Sequence, residues 1–268
     1  MNDQVVGVKE LGGVRLRARQ LARYSRLGVN LLAGSAFIQC CFQFPRISGI
    51  NERYLNDYGL FRHWVEDLKK SMNTRIHVHG SIMKDEGMFV SNHISWLDTI
   101  VLNRIKPFSF VARHDLAGWP FLGTFTQRMS SVFIDRSNKF QAYRSIPALE
   151  QRLNEGRSVV VFPESTTSDG RGVLPFYPMF YEAAVRTGRA VQPVSIRYTD
   201  DMGNQLLEPA FINDDSFNDT LGRIFMVDKV HAHVRFLEPI FASRVGRKKT
   251  CQQSREQILM SLESYCSN

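Results

Sequence analysis

The chain has 268 residues, of which 43% are hydrophobic and 22% are charged, a balance that excludes a disordered chain and is typical of a globular protein. The length allows one catalytic-sized domain with an appendage. The net charge of +8 favours an anionic partner, which could be a nucleic acid, a phospholipid surface or a phosphorylated substrate.

The N-terminal region is first basic and then apolar. Residues 27–44 carry no charge, and this run is at the short end for a membrane-spanning helix. Six lysine and arginine residues precede it, and the positive-inside rule would hold them on the cytoplasmic side. We predict membrane-surface attachment, flat or re-entrant, and keep a buried core helix, a single span and a secretion signal as alternatives.

A second helix is predicted over 51–72, where aromatic and aliphatic residues recur at spacings near three and four. With the preceding run it makes residues 1–74 a basic arm followed by a helical, membrane-docking appendage. The four cysteines form no CxxC pair and show no zinc-site spacing, which favours a reducing, cytoplasmic environment.

From residue 75 onward, short β-rich runs alternate with helical patterns. This alternation predicts an α/β domain over 75–268, with a mixed, largely parallel central sheet flanked by helices. Helices are expected over 139–154, over 179–187 and in the C-terminal tail, and the polar stretch 199–227 is left unassigned. The predicted strands are 76–79, 88–91, 108–112, 132–135, 158–162, 191–197 and 231–236.

The stretch SNHISWLDTIVL places His93 and Asp98 directly after the predicted strand 88–91. Ligands of open α/β sheets collect at the carboxyl ends of strands, which is a suitable place for a catalytic base. A neutral imidazole can take a proton from a hydroxyl, and a carboxylate on its other nitrogen would fix the tautomer. A strand-to-helix turn would bring Asp98 back under His93. The alternative is that Asp98 caps a helix and His93 is an ordinary polar residue.

Two later strand ends also carry polar residues. VFIDRSN places Asp135 and Arg136 after an apolar run, and VVVFPESTTSDG places Glu164 and a hydroxyl-rich turn after another. These side chains are expected to converge with His93 on one rim of the sheet. Arg136 could bind a phosphate through charge-assisted hydrogen bonds, or it could form a surface ion pair with one of the two carboxylates.

The blocks NHISWLD, FIDR, FPEST and VQPVSIRY occur in that order. With them the sequence resembles the glycerolipid acyltransferase family, which includes 1-acylglycerol-3-phosphate acyltransferases, over about residues 75–241. The resemblance implies acyl transfer from acyl-CoA or acyl-carrier protein, with no metal or other cofactor. It also implies a general base with its carboxylate partner, two acceptor-binding residues and two residues on the acyl-donor side: His93 with Asp98, Arg136 and Glu164, and Pro193 and Val194.

The third block departs from the family pattern at two positions. Ser165 stands where the family has glycine, and Thr167 stands where it has arginine. Losing this arginine weakens the case for a glycerol-phosphate acceptor, although Arg171 could restore the charge. TTSDG followed by VLPF resembles a bacterial subgroup that includes acyltransferases of lyso-ornithine lipids. We expect the acceptor to contact the turn formed by Ser165, Thr166 and Thr167.

Two further patterns have competing interpretations. SFVARHDLAGWPFLG offers Arg113 and an aromatic segment, which could line a site for the acyl chain or headgroup or could simply pack in the core. IHVHG and HAHV each place two histidines on one strand face. We favour solvent-facing histidines over a metal site.

The sequence therefore predicts an O-acyltransferase at the cytoplasmic face of a membrane. Its substrates would be an acyl thioester and a lyso-lipid such as 1-acylglycerol-3-phosphate, with lyso-ornithine lipid as the alternative acceptor. Nucleic acid is not expected as a partner, because the basic residues lack interleaved aromatic residues and a recognisable reading helix. A catalytically silent lipid-binding protein is the competing function.

Overall fold

The computed structural model describes residues 17–34, 36, 59–113, 132–134, 143 and 145–265. These residues form one eight-stranded sheet with helices on both faces. The strands are β1 (Thr74–His79), β2 (Met88–Ser91), β3 (Ser109–Arg113), β4 (Val132–Ile134), β5 (Val159–Val161), β6 (Ala190–Thr199), β7 (Val230–Phe236) and β8 (Ile240–Phe241). The helices are α1 (residues 17–34), α2 (Gly59–Ser71), α3 (Leu97–Ile105), α4 (Ile146–Asn154), α5 (Tyr181–Thr187), α6 (Phe217–Met226), α7 (Ala242–Val245) and α8 (Arg247–Glu263), with a 3-10 turn at Pro178–Phe180.

The sheet has the strand order β1-β7-β6-β2-β5-β3-β4, and β8 pairs with β6. Strand β6 runs antiparallel to β7 and β8, and the other pairings are parallel. The central strands β2 and β5 are buried along their whole length, as strands of a parallel sheet covered on both faces must be. The predicted mixed, largely parallel sheet flanked by helices is confirmed, and β8 is an addition to it.

Successive residues of β5 enter two different hydrophobic cores, because side chains alternate across a strand. Val160 lies in the core beneath α2, α3 and α6, whereas Val159 and Val161 lie in the core beneath α4, α5 and α8. The first of these cores supports the end of β2, where the predicted base lies.

Helix α6 lies in the polar stretch that the sequence reading left unassigned. Ser216 begins it with a capping box, in which its hydroxyl accepts from the Asp219 amide and the Asp219 carboxylate accepts from the Ser216 amide. Leu221, Ile224 and Phe225 then pack into the core. The prediction missed this helix because polar residues surround its short apolar face.

The basic residues predicted as an N-terminal arm are helical from residue 17, and α1 packs against the domain. Leu27 is buried in the core shared with α2 and the sheet. Arg23 donates to the carbonyls of Phe225 (2.9 Å), Val227 (2.6 Å) and Asp228 (2.9 Å), which lie at the end of α6. The arginine thereby satisfies carbonyl groups that a helix C-terminus leaves unpaired. Membrane docking stays a prediction, and residues 35, 37–44 and 51–58 of the two predicted helical segments lie outside the described residues.

Over the described ranges, none of the helices combines the length and the apolar composition that crossing a bilayer requires.

The sequence predicts that the paired histidines of β1 and β7 face solvent, but the structure shows them only partly exposed. His77 and His79 on β1 and His231 and His233 on β7 are all half-buried, and we call these four residues the histidine cluster. They share the sheet face opposite to Val230, Ala232 and Val234, whose side chains are in the core. Their imidazole rings stack on one another and are thereby partly shielded from solvent, because β1 and β7 pair in parallel with His77 beside His233.

Candidate active site

Where the main chain leaves the sheet after β2, a side chain replaces the backbone hydrogen bonds between β2 and β6. Pairing of β2 with β6 ends at Ser91, opposite Val194. The buried side chain of Asn92 then donates through Nδ2 to the Ile196 carbonyl (2.9 Å) and accepts at Oδ1 from the Ile196 backbone amide (2.8 Å). These two bonds keep the backbone groups of β6 satisfied while the main chain turns away from the sheet. The main chain is therefore fixed in position directly before His93.

His93 and Asp98 are hydrogen-bonded across the turn between β2 and α3. The distance from His93 Nδ1 to Asp98 Oδ2 is 2.8 Å. The same oxygen accepts from the amides of Ile94 (2.8 Å) and Ser95 (3.0 Å), so Asp98 both caps the turn and holds the imidazole. The two interpretations that the sequence left open are thus compatible in one carboxylate.

The imidazole of His93 is held in orientation and remains partly accessible. It stacks on the Phe162 ring, with 3.9 Å between ring centroids and 12° between planes. The side chain of His93 is 15% exposed and that of Asp98 is 0% exposed. With Nδ1 donating to Asp98, Nε2 is the nitrogen left to accept a proton.

The third sequence block holds the backbone of His93. Glu164 Oε1 accepts from the His93 amide (2.8 Å), and the Ser168 amide donates to the His93 carbonyl (2.8 Å). The other oxygen of Glu164 accepts from the Leu174 amide (3.0 Å). Burial, and next the charge of Asp98, raise the pKa of Glu164 to about 7, although both backbone hydrogen bonds act in the opposite direction. In the structure Glu164 thus supports His93, and its predicted contact with the acceptor stays a prediction.

The hydroxyl-rich turn differs from the family pattern in ways that the structure explains in part. Ser165 has a φ of 59°, in the left-handed region that glycine adopts without strain. The Thr167 hydroxyl donates to the Phe211 carbonyl, and Thr166 is exposed. Arg171 is exposed and lies 3.8 Å from Asp169. Because Thr167 bonds to the protein itself, its side chain does not replace the phosphate contact of the missing arginine.

A family model described as Acyltransferase matches residues 74–197, which span β1 to β6 and contain both His93 and Asp98. A lyso-ornithine lipid O-acyltransferase from Pseudomonas aeruginosa is 29% identical over 247 residues, which cover 92% of each chain. The chain belongs to the acyltransferase family. A 1-acyl-sn-glycerol-3-phosphate acyltransferase from Neisseria meningitidis serogroup B is 33% identical over 150 residues, or 56% of this acyltransferase and 58% of that protein.

The crystal structure of a 1-acyl-sn-glycerophosphate acyltransferase from Thermotoga maritima has the same fold as this acyltransferase. The TM-score is 0.72, the sequence identity is 18%, and the match covers 96% of this chain and 98% of the other. At that identity the likeness concerns the fold alone. The predicted family and the prediction of an acyltransferase are confirmed.

The remaining predicted site residues of this acyltransferase differ in how far they can be placed. Arg113 ends β3, whose carboxyl end lies on the same side of the sheet as the ends of β4 and β5. Arg136 lies outside the described residues. Pro193 and Val194 are buried within β6, opposite Val90 and Ser91. They therefore lie beside the strand that leads to His93, and their acyl-donor role stays a prediction.

Proposed function

We propose that this acyltransferase moves a fatty acyl group from an acyl thioester to the hydroxyl of a lyso-lipid, with His93 as general base. The 2.8 Å bond between His93 Nδ1 and Asp98 Oδ2 is the observation that carries the proposal. Nε2 takes the proton of the acceptor hydroxyl as its oxygen attacks the thioester carbonyl. When the tetrahedral intermediate collapses, the imidazolium returns the proton to the leaving thiolate, and the new ester bond replaces the thioester bond.

Burial of Asp98 supports this role for the pair. A charge interaction in a site without water is stronger than the same interaction at the surface, so the carboxylate stabilises the imidazolium that forms during attack. General base catalysis of this kind contributes roughly 10²–10⁴-fold to a rate. The stacked Phe162 ring and the backbone bonds to Glu164 and Ser168 hold the imidazole in place, which favours catalysis over a silent lipid-binding role.

For the acceptor we favour a lyso-ornithine lipid. The relative named for that lipid matches along 92% of both chains, whereas the glycerol-3-phosphate relative matches over 56% of this chain. An ornithine lipid carries no phosphate, so it does not need the arginine that Thr167 replaces. 1-Acylglycerol-3-phosphate is the second candidate, since Arg113 ends a strand at the same side of the sheet and Arg136 follows the next one.

The direct test is to incubate the purified protein with each lyso-lipid and with acyl-CoA or acyl-carrier protein, and to identify the products by mass spectrometry. We expect acylated ornithine lipid, and no product from His93→Ala. Turnover that persists in His93→Ala would eliminate the base. Phosphatidic acid as the main product would reverse the choice of acceptor, and no product with any pair would favour the silent lipid-binding protein.

The acceptor choice can be sharpened with Thr167→Arg, and Thr166→Arg is the matched control because it adds the same charge one residue away. If the missing arginine sets the preference, Thr167→Arg raises the relative use of 1-acylglycerol-3-phosphate and Thr166→Arg does not. Equal effects of the two variants would attribute the change to net charge alone.

We also propose that the outer face of α1 attaches the protein to the cytoplasmic surface of a membrane. Leu21, Val29 and Leu32 are 69%, 64% and 63% exposed, and exposed Arg17 and Arg26 lie on the same helix. Apolar and basic side chains together suit an anionic lipid surface. The double variant L21E/L32E should lose most binding to vesicles of anionic phospholipid while it keeps its folded circular dichroism spectrum. Unchanged vesicle binding would contradict this attachment.

A further inference from the structure

Asp98 has a second oxygen, and it is bonded from a distant part of the chain. The hydroxyl of Tyr198 donates to Asp98 Oδ1 at 2.7 Å. Tyr198 is 1% exposed, Asp98 is fully buried, and the two residues are separated by 100 positions in the sequence. Burial raises the pKa of Tyr198 well above its ordinary value of 10, and the neighbouring Asp98 adds to this effect. The phenol therefore remains a proton donor throughout the range in which enzymes work.

Strand β6 anchors both ends of the segment that carries the His93–Asp98 pair. The backbone of Ile196 makes two hydrogen bonds with the side chain of Asn92, just before His93. Tyr198 lies two residues further along the same strand, so its side chain is on the same face as that of Ile196. Both side chains belong to the hydrophobic core beneath α3. One rigid strand thus fixes the position at which the segment starts and the rotation of the carboxylate near its end.

We propose that Tyr198 is a positioning residue of acyl transfer, which holds Asp98 so that Oδ2 faces His93. This inference rests on the proposed function, because it assigns a task only if His93 takes the acceptor proton. A hydrogen bond to one carboxylate oxygen stabilises the ionised form of the group. The proton taken from the acceptor then stays on the imidazole, where it is available for the leaving thiolate.

The test is the pH dependence of kcat/KM for Tyr198→Phe, a change that removes the hydroxyl and keeps the ring. Without the hydroxyl nothing on β6 holds Asp98 Oδ1, so the carboxylate is less well oriented toward His93, and we expect kcat to fall about 10–100-fold with little change in KM. Without the donor, the pair holds its proton more tightly. The acid limb of the profile should therefore move to higher pH.

A second variant changes the same bond in the opposite direction. Site-specific Tyr198→3-fluorotyrosine retains the ring and the donor but makes the phenol more acidic, so its hydrogen bond to Asp98 is stronger. Its acid limb should move to lower pH. This variant keeps the inference testable if Tyr198→Phe does not fold, because the added fluorine is small. The inference would be overturned if the acid limb of the kcat/KM profile moved in the same direction in the two variants, or did not move in either.

Tyr181→Phe is the matched control, because Tyr181 is a fully buried tyrosine in the core on the other face of the sheet. It should leave the profile unchanged. If His93→Ala itself retains full turnover, the proposed base fails; if it is inactive while Tyr198→Phe behaves as wild type, only the inference about Tyr198 fails.

Discussion

Two histidine–aspartate pairs in this protein have nearly the same geometry and very different surroundings. His93 Nδ1 lies 2.8 Å from Asp98, and His231 Nε2 lies 2.9 Å from Asp201. Both histidine side chains are 15% exposed, but the Asp98 side chain is 0% exposed and that of Asp201 is 53% exposed. The distance alone therefore cannot distinguish a candidate catalytic pair from a surface pair.

The partners of the carboxylates make the difference. Asp98 receives hydrogen bonds from His93, two backbone amides and Tyr198. Asp201 is shared between His231 and Lys229 at the surface, where water screens both interactions. Behind His231 lies a second imidazole, with His77 Nε2 at 2.8 Å from His231 Nδ1. One imidazole is thus bonded to a buried carboxylate with a fixed orientation, and the other lies between an exposed carboxylate and a second imidazole.

Replacing each aspartate by asparagine should give the largest contrast. Asp98→Asn keeps the shape but removes the charge that stabilises the imidazolium, so we expect activity to fall at least about 100-fold. Asp201→Asn should keep activity within about twofold. Initial rates with the preferred acceptor measure both variants. Comparable losses in the two variants would show that burial of the carboxylate is not what separates the pairs.

The candidate pair could be predicted from sequence because its members are five residues apart and follow an apolar strand. The contact of Tyr198 with Asp98 could not be predicted, since it depends on β6 pairing beside β2, and no local pattern fixes the neighbours of a strand in a parallel sheet. The same reason hid the task of Asn92, whose partner Ile196 is 104 positions away. Sequence patterns therefore identified the reacting group, and the tertiary pairing supplied its supports.

Helices could be predicted where the periodic apolar pattern extended over many residues, and strands where the run was strongly apolar. The runs that became β2 and β5 are continuous apolar segments, and the predicted bounds of β2 match the structure. Helix α6 had a usable signal in Ser216 and Asp219, which form its capping box. Strand β8 has two residues and exists only because β6 extends far enough to pair with it. An element of that length carries no pattern of its own.

Glu164 sharpens the comparison because it supports His93, whereas the histidine cluster includes no such buried carboxyl group. Its pKa is raised to about 7 from 4.5, so the folded protein holds its proton more tightly than the unfolded chain. The resulting stability is fully present below pH 4.5 and is lost as the pH rises through 7. Between pH 4.5 and 8 the wild type should lose roughly 3 kcal/mol more stability than Glu164→Gln.

Urea unfolding at several pH values measures this difference. Glu164→Gln also gives one backbone amide a poorer partner, so the variant is expected to be less stable at low pH, and the informative quantity is the change with pH. Parallel stability curves for the two proteins would show that Glu164 is ionised in the fold near pH 7 and is not a buried acid.

The histidine cluster should respond to acid in the opposite sense. Burial, and then the positive charges of nearby histidines, lower the pKa of His233 to about 4 from 6.5. Its neutral form gives stability that is present above pH 6.5 and is lost as the pH falls toward 4. His233→Gln should reduce the drop in Tm between pH 7 and 4.5 by a few degrees. His63→Gln, on the exposed side of α2, is the control, and an equal reduction there would contradict a specific effect of the cluster.

The smallest expected effect concerns the stability of the surface pair. Because Asp201 is exposed, its bonds to His231 and Lys229 should contribute little to stability, and screening by salt should reduce that contribution further. Asp201→Asn should therefore lower the free energy of unfolding slightly in low salt and hardly at all in 0.5 M salt, where we would measure it by urea titration. A clear loss that persists undiminished in high salt would mean that Asp201 organises the histidine cluster as Asp98 organises the turn around His93. Burial of the aspartate would then no longer distinguish the two pairs in how far the carboxylate stabilises the residues around it.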